Sequence, residues 1–402
     1  MKNDIKLVQL PEREGEKTSL DFLNKETVEK VCNFHKSFPM YKETPLVDLA
    51  ALSKKLGLKN LFVKDESYRF GLNAFKVLGG SFAIGNYLAK TLGMDISELP
   101  FEKMTSPEIK EKLGDITFVT ATDGNHGRGV AWTANQLKQG AVVYMPKGSA
   151  KQRLEAIRKE GAEASITDFN YDEAVRYAYE NGQKNNWIMV QDTAWEGYTD
   201  IPTWIIQGYA TMAFEAYSQL KEKPTHIFIQ AGVGSLAAAV TGFFSSMLTG
   251  DDAPIITVVE PDKADCLFRT AKANDGKRHF VTDDMATIMA GLACGEPCSV
   301  GWEVLRDYAK NYISCADYIS AKGMRILGNP LRGDDKVISG ESGAVTLGVV
   351  AEIMANPDFA EVKKELKLDE NSTVLCFSTE GDTDEENYLN IVWDGKEPSF
   401  NK

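Results

Sequence analysis

The stretch His226-Ile227-Phe228-Ile229-Gln230-Ala231-Gly232-Val233-Gly234-Ser235-Leu236 reads as a strand, a glycine turn and the opening of an Ala-rich helix. Glycines let the backbone approach an anion closely, and the unpaired N–H groups of a helix start then bind phosphate. The turn has no Gly-Lys-Ser/Thr ending, so it is not a nucleoside-triphosphate loop, and it lacks the third glycine of a dinucleotide fingerprint. Two readings of this stretch stand: a tight strand-to-helix turn, or a cup for a small phosphate.

Outward from this unit, short apolar runs alternate with longer helical stretches. Strands are expected at Asn60–Lys64, Ile116–Ala121, Ala141–Met145, Ala164–Thr167, Trp187–Gln191, His226–Gln230, Ile255–Glu260 and Val374–Ser378. Helices are expected at Gly80–Leu92, His126–Lys138, Ala150–Lys159, Tyr171–Asn181, Trp204–Leu220, Leu236–Met247 and Gly343–Met354. Such alternation implies an α/β fold with parallel-rich sheets flanked by helices. The 402 residues exceed what one compact core usually organises, so two lobes are expected. The βα units in the middle suggest a small domain over 86–203, inserted between two parts of a large one at 1–85 and 204–402. A cleft between lobes is a common place for a cofactor.

Composition narrows the partners. The net charge of -13 argues against nucleic acid or an anionic membrane, and no apolar run is long enough to span a bilayer. Met1 to Gly15 is polar and charged, so a signal peptide is not expected and a cytoplasmic protein is. The six cysteines, Cys32, Cys266, Cys294, Cys298, Cys315 and Cys376, fit no disulfide framework or zinc motif. The four histidines are scattered, and no metal site is expected. The sequence leaves open whether Cys266 and Cys294 pair.

Three further pieces carry chemistry. Asn73-Ala74-Phe75-Lys76 precedes Gly79-Gly80 and an apolar helical run. A cation at a helix N-terminus opposes the macrodipole, which is an odd place for a plain surface lysine. A partly desolvated amine there is a useful nucleophile. Thr120-Ala121-Thr122-Asp123-Gly124-Asn125-His126-Gly127 joins a strand to a helix, and its backbone donors suit a substrate carboxylate, though Asp and Asn are also common helix caps. Cys376-Phe377-Ser378-Thr379-Glu380-Gly381-Asp382 follows an apolar strand, at whose carboxyl end ligands lie in open α/β sheets. Taken alone, that last piece also reads as a polar turn.

Taken in order, Lys76 after Phe75, the Gly124-Asn125-His126-Gly127 loop, the Gly232-Val233-Gly234 loop and Ser378 before Gly381-Asp382 resemble the fold-type II pyridoxal-phosphate enzymes, which include tryptophan synthase β-chains, threonine dehydratases and cysteine synthases. The resemblance runs from about residue 40 to 390. Two finer features, Thr122-Asp123-Gly124-Asn125-His126-Gly127 and Gln191-Asp192-Thr193-Ala194-Trp195-Glu196-Gly197-Tyr198, resemble the diaminopropionate ammonia-lyase subfamily. The resemblance implies pyridoxal 5'-phosphate as cofactor, Lys76 as the Schiff-base lysine and Asn125 on the cofactor's phenolic oxygen. It implies Gly232, Val233, Gly234, Ser235 and Leu236 as the phosphate cup and Ser378 as the hydroxyl facing the pyridine nitrogen. Asp123 and Asp192 match the acidic pair of the lyases, with Thr122 and Gly124 beside the substrate, and Glu341 is placed near the ring. A homodimer acting on a small amino acid is implied as well.

The implied reaction is α,β-elimination from D- and L-2,3-diaminopropionate to pyruvate and ammonia. A serine hydroxyl at Ser378 would not hold the ring nitrogen protonated as a carboxylate would, which favours expulsion of a β-substituent over transamination. A carboxylate at Asp123 beside the substrate carboxylate costs about 1–4 kcal/mol at contact distance, and a substrate with a second ammonium offsets that cost. The neighbouring reading is a serine or threonine ammonia-lyase of the same fold. A reading of another class is a catalytically inactive amino-acid-binding protein, against which the retained Lys76 argues.

Overall fold

A computed structural model describes residues 4–122 and 124–399, with the side chain of Asp172 left out. Among these residues the strands in chain order are β1 (Ile5–Gln9), β2 (Leu46–Asp48), β3 (Asn60–Asp65), β4 (Thr117–Ala121), β5 (Gly140–Met145), β6 (Glu163–Ile166), β7 (Ile188–Met189), β8 (His226–Gln230), β9 (Ile255–Pro261), β10 (Asn311–Cys315) and β11 (Thr373–Ser378). They form a seven-stranded sheet ordered β1-β10-β9-β8-β11-β3-β2 and a four-stranded sheet ordered β6-β5-β4-β7. Pairing is parallel except at the two edges of the large sheet, β1 with β10 and β2 with β3. The small sheet is wholly parallel. Strands β8 and β11 are buried along their whole length, as sheets covered by helices on both faces require.

β7 is shorter than the Trp187–Gln191 run expected for it. The ladder ends there because Tyr198 takes its backbone groups. The Tyr198 hydroxyl accepts from Gln191 N at 2.8 Å and donates to Met189 O at 3.0 Å. The helix expected at Gly80–Leu92 starts earlier, at Val77, and runs to Leu92. An 85/86 domain boundary falls inside this helix, and we propose that the small lobe begins beyond it.

The helix Val77–Leu92 is buried throughout its first nine residues and packs against the helix Asp200–Gln219. Contact is closest at Gly208, where a Cβ would lie 2.3 Å from Leu78 O, so only glycine lets the two backbones approach this far. Near the start of the Val77–Leu92 helix, a buried ion network ties the end of β3 to Asp200–Gln219. Arg69 donates to Glu215 Oε1 at 2.8 Å, to Glu215 Oε2 at 2.7 Å and to Glu66 Oε2 at 2.8 Å. Lys64 Nζ lies 2.7 Å from Glu215 Oε2. Breaking one partner of such a buried pair typically costs about 3–5 kcal/mol, because a charge is left without compensation. The network therefore fixes the short helix Glu66–Gly71, which precedes the Lys76 turn in the chain.

Candidate active site

Four loops meet at the carboxyl ends of parallel strands, and each is locked before it reaches the cavity. The Asn73–Lys76 segment is laced to the end of β11: Phe75 N donates to Thr379 O at 3.0 Å, and Gly381 N donates to Asn73 O at 3.0 Å. Gln230, at the end of β8, donates to Ser342 O, Phe377 O and Thr379 Oγ1 at 2.9–3.0 Å. In the small sheet the Gln191 side chain accepts from Thr120 Oγ1 and Ala121 N and donates to Ala121 O, which sets Asp192 beside β4. Ser235 Oγ then donates to Asp192 O at 2.7 Å, joining the loop of the large sheet to that of the small one.

These loops enclose a cavity of about 850 Å³, within the size range of small-ligand sites. Lys76, Thr122, Asn125, Asp192, Gly232, Val233, Gly234, Ser235, Leu236 and Glu341 all line it. Gly124 lies just behind the wall, its N–H donating to Thr122 Oγ1 at 3.1 Å. Asp123 lies outside the described residues. Ser378 differs from expectation. It is fully buried and donates to Ser339 Oγ at 2.8 Å, whereas the hydroxyl on the cavity wall at this strand end belongs to Thr379. Successive side chains of a strand point to opposite sides, so a ligand meets one of the two.

Lys76 Nζ stands 2.5 Å from Asp192 Oδ2. Burial pulls the lysine's pKa down, but the Asp192 charge outweighs it and holds the amine above its usual range. Burial likewise pushes Asp192 up, and the Lys76 charge overcomes this and holds the carboxyl at about 2. His126 itself is kept neutral by burial, with Nε2 against Val190 O at 2.8 Å, so it orients the loop. Glu341 differs: burial and the neighbouring Glu380 charge lift it to about 7. Asn387 donates to Glu341, and Asn125 Nδ2 donates to Glu380 Oε2 at 2.6 Å.

Glu380, Thr379 and Tyr209 are cavity residues that the motif reading did not single out. Glu380 and Thr379 lay inside the quoted Ser378–Asp382 piece. Tyr209 had no signal, being one aromatic in a long helix. Cys266 and Cys294 are free thiols in the structure.

The residues present fit pyridoxal phosphate. Gly234 has φ +103°, a left-handed conformation that favours glycine, and it leads into the helix Ser235–Met247, whose start has no side-chain cap. The first-turn N–H groups of that helix have no partners within it and suit a dianion. Ser342 Oγ is buried on the wall without a hydrogen-bond partner among the described residues. Lys76 supplies the amine and Asn125 an amide donor. Gly234→Asp puts a negative side chain and a strained φ where the phosphate must approach. The dissociation constant for pyridoxal phosphate, measured by equilibrium dialysis, is expected to rise by about fivefold to nearly a thousandfold, from about 1–4 kcal/mol of charge repulsion. Unchanged retention would make the Gly232–Leu236 loop a structural turn only.

The family of pyridoxal-phosphate dependent enzymes matches residues 38–379. Diaminopropionate ammonia-lyase of Salmonella typhimurium is 53% identical over 387 residues, 95% of this chain and 96% of that protein. The holo form of diaminopropionate ammonia lyase from Escherichia coli superposes with a TM-score of 0.91 at 46% identity, covering 98% of this chain and 97% of that one. The same Escherichia coli enzyme in complex with D-serine gives a TM-score of 0.91 at 46% identity, covering 98% of both chains.

Proposed function

The chain belongs to the family of pyridoxal-phosphate-dependent enzymes, and from that premise we propose that it eliminates ammonia from D- and L-2,3-diaminopropionate, yielding pyruvate and a second ammonia. It is an ammonia-lyase that uses pyridoxal 5'-phosphate. The observation that carries the substrate assignment is the Lys76–Asp192 ion pair at 2.5 Å. A buried carboxylate already seated against an ammonium is a ready-made ammonium receptor. Once the Lys76 amine is engaged elsewhere, Asp192 faces the cavity as an anion in need of a cation. Diaminopropionate brings a second ammonium to it, and serine and threonine do not.

Bound in the cup, pyridoxal phosphate supplies an electron sink for negative charge developing at the substrate α-carbon. Lys76 would carry the cofactor, the Gly232–Leu236 backbone would hold its phosphate, and Asn125 would donate to its phenolic oxygen. For the ring nitrogen, Thr379 Oγ1 on the cavity wall is a better placed hydroxyl than Ser378. The freed Lys76 amine takes the α-proton of the L-isomer at Nζ. Asp123 is the candidate base for the D-isomer, a role that rests on the family resemblance, and the Escherichia coli enzyme in complex with D-serine supports access for D-amino acids. Asp192 keeps the β-nitrogen protonated, so the breaking C–N bond leaves its electron pair on neutral ammonia. Water then converts the remaining unsaturated amine to pyruvate and ammonia.

Cytoplasmic location and a homodimer complete the reading. They rest on the family resemblance, and among the described residues no helix is long and apolar enough to cross a membrane. The test of function is pyruvate formation from D- and L-diaminopropionate and from serine. Both diaminopropionate isomers are expected to turn over, with kcat/KM at least about tenfold above serine, the equivalent of 1.4 kcal/mol of charge attraction. A preference for serine would select the dehydratase reading instead.

A further inference from the structure

Tyr209, in the helix Asp200–Gln219, is buried to 1% exposure and lines the cavity beside Lys76 and Asp192. Its hydroxyl is buried with no hydrogen-bond partner among the described residues. A buried, unpaired hydroxyl is costly and calls for an explanation. The ring is not free to swing toward a partner. It packs on Phe75 with centroids 4.7 Å apart at 52°, and on Gly79, where a Cβ would lie 2.5 Å from Tyr209 Cε1. Phe75 and Gly79 bracket Lys76 in the chain, so the ring is fixed to the same turn that carries the amine.

We propose that Tyr209 is a positioning residue for Lys76, its hydroxyl oxygen accepting from Nζ and holding the amine in the cavity when Asp192 turns to a substrate ammonium. This rests on the reading of Lys76 as the cofactor-bearing lysine. The charged or titratable groups facing Nζ are Asp192 from the loop after β7, Tyr209, Cys294 from the loop between β9 and β10, and His126 from the helix Asn125–Gln136. Burial keeps the Tyr209 phenol neutral, so it is neither a base nor an acid at neutral pH but a fixed donor and acceptor. An oxygen accepting from an ammonium favours the charged amine, so its removal lowers the pKa of Lys76.

Tyr209→Phe keeps the ring and its packing and deletes the hydroxyl. In cofactor-free protein carrying Asp192→Asn, which takes the carboxylate away from the amine, the pH dependence of Lys76 acylation by an amine-reactive reagent, read by peptide mapping, is expected to shift its midpoint down by about one unit when Tyr209→Phe is added. In the loaded enzyme, kcat is expected to fall about tenfold, with KM and the dissociation constant for pyridoxal phosphate within about twofold of wild type. The Tm is expected to be equal or higher, because an unpaired polar group is gone. An unmoved Lys76 midpoint overturns the proposal. So does a weakened cofactor affinity with that midpoint unmoved, which makes Tyr209 a cofactor ligand. Borohydride capture of the cofactor tests the underlying reading separately: label on a lysine other than Lys76 removes that reading, whatever Tyr209 does to the amine.

Discussion

Lys76→Ala is expected to abolish pyruvate formation from both isomers of diaminopropionate and to remove the near-visible absorbance of the bound cofactor. Loss of a positioned base alone accounts for about 10²–10⁴-fold, and the same amine is the one that would hold the cofactor. The structure adds a second consequence. Lys76 is the cation that holds Asp192 at a pKa of about 2, against a burial effect in the opposite direction. Without it, the carboxylate is left buried and uncompensated, a loss of about 3–5 kcal/mol for pairs of this kind. The cofactor-free Lys76→Ala protein should therefore melt at a lower temperature than wild type. Lys76→Arg separates the two effects, since a guanidinium restores the ion pair but is not a useful amine nucleophile. It should recover the Tm without recovering turnover. Measurable turnover in Lys76→Arg would remove Lys76 from the chemistry and leave it a structural partner of Asp192.

Asp123→Asn is expected to separate the two faces of the α-carbon. One base does not easily reach both, and Lys76 is assigned to the L-isomer. Asp123 falls outside the described residues, and only the residues on either side of it are placed. Thr122 lines the cavity, Gly124 N donates to Thr122 Oγ1, and Asn125 begins the helix Asn125–Gln136. The amide keeps the shape of the side chain and removes its basicity. Turnover of D-diaminopropionate should fall by about 10²–10⁴-fold, the contribution typical of a positioned general base. The L-isomer should lose less, through weakened attraction for its β-ammonium alone. The measurement is kcat/KM for both isomers on both proteins. Equal losses would reduce Asp123 to a binding residue and return both proton transfers to a single base.

Much of this site was legible in the amino-acid order because its parts are local. The strand His226–Gln230, the glycine turn and the helix Ser235–Met247 lie within one continuous stretch, and each is set by residues a few positions apart. The same holds for Lys76 before its helix, and for Thr122 to Asn125 between β4 and the next helix. Backbone preference and turn chemistry act over that range, so the motifs could be read without the fold. The parallel sheets also followed from alternation of strands and helices.

Which side chains reach the cavity wall was decided elsewhere. Ser378 and Thr379 are adjacent, and the choice between them depends on how β11 pairs with β3, where Ser378 sits opposite Asp65 from the other end of the chain. A strand's register assigns each side chain to one face, and register is a property of the pair. The pKa of Glu341 near 7 needs Glu380 and the burial that surrounds both. The low pKa of Asp192 needs Lys76, which lies 116 residues away. Tyr209 became notable only when Phe75 and Gly79 pinned its ring beside an amine. Sequence by itself determined the fold class, the glycine turn before the helix Ser235–Met247 and the place of Lys76 ahead of its own helix, since these arise from short-range backbone geometry. Tertiary structure alone decided which hydroxyls and carboxylates meet in the cavity and with what charge. Desolvation and Coulomb interactions depend on distance in space, and separation along the chain does not report it.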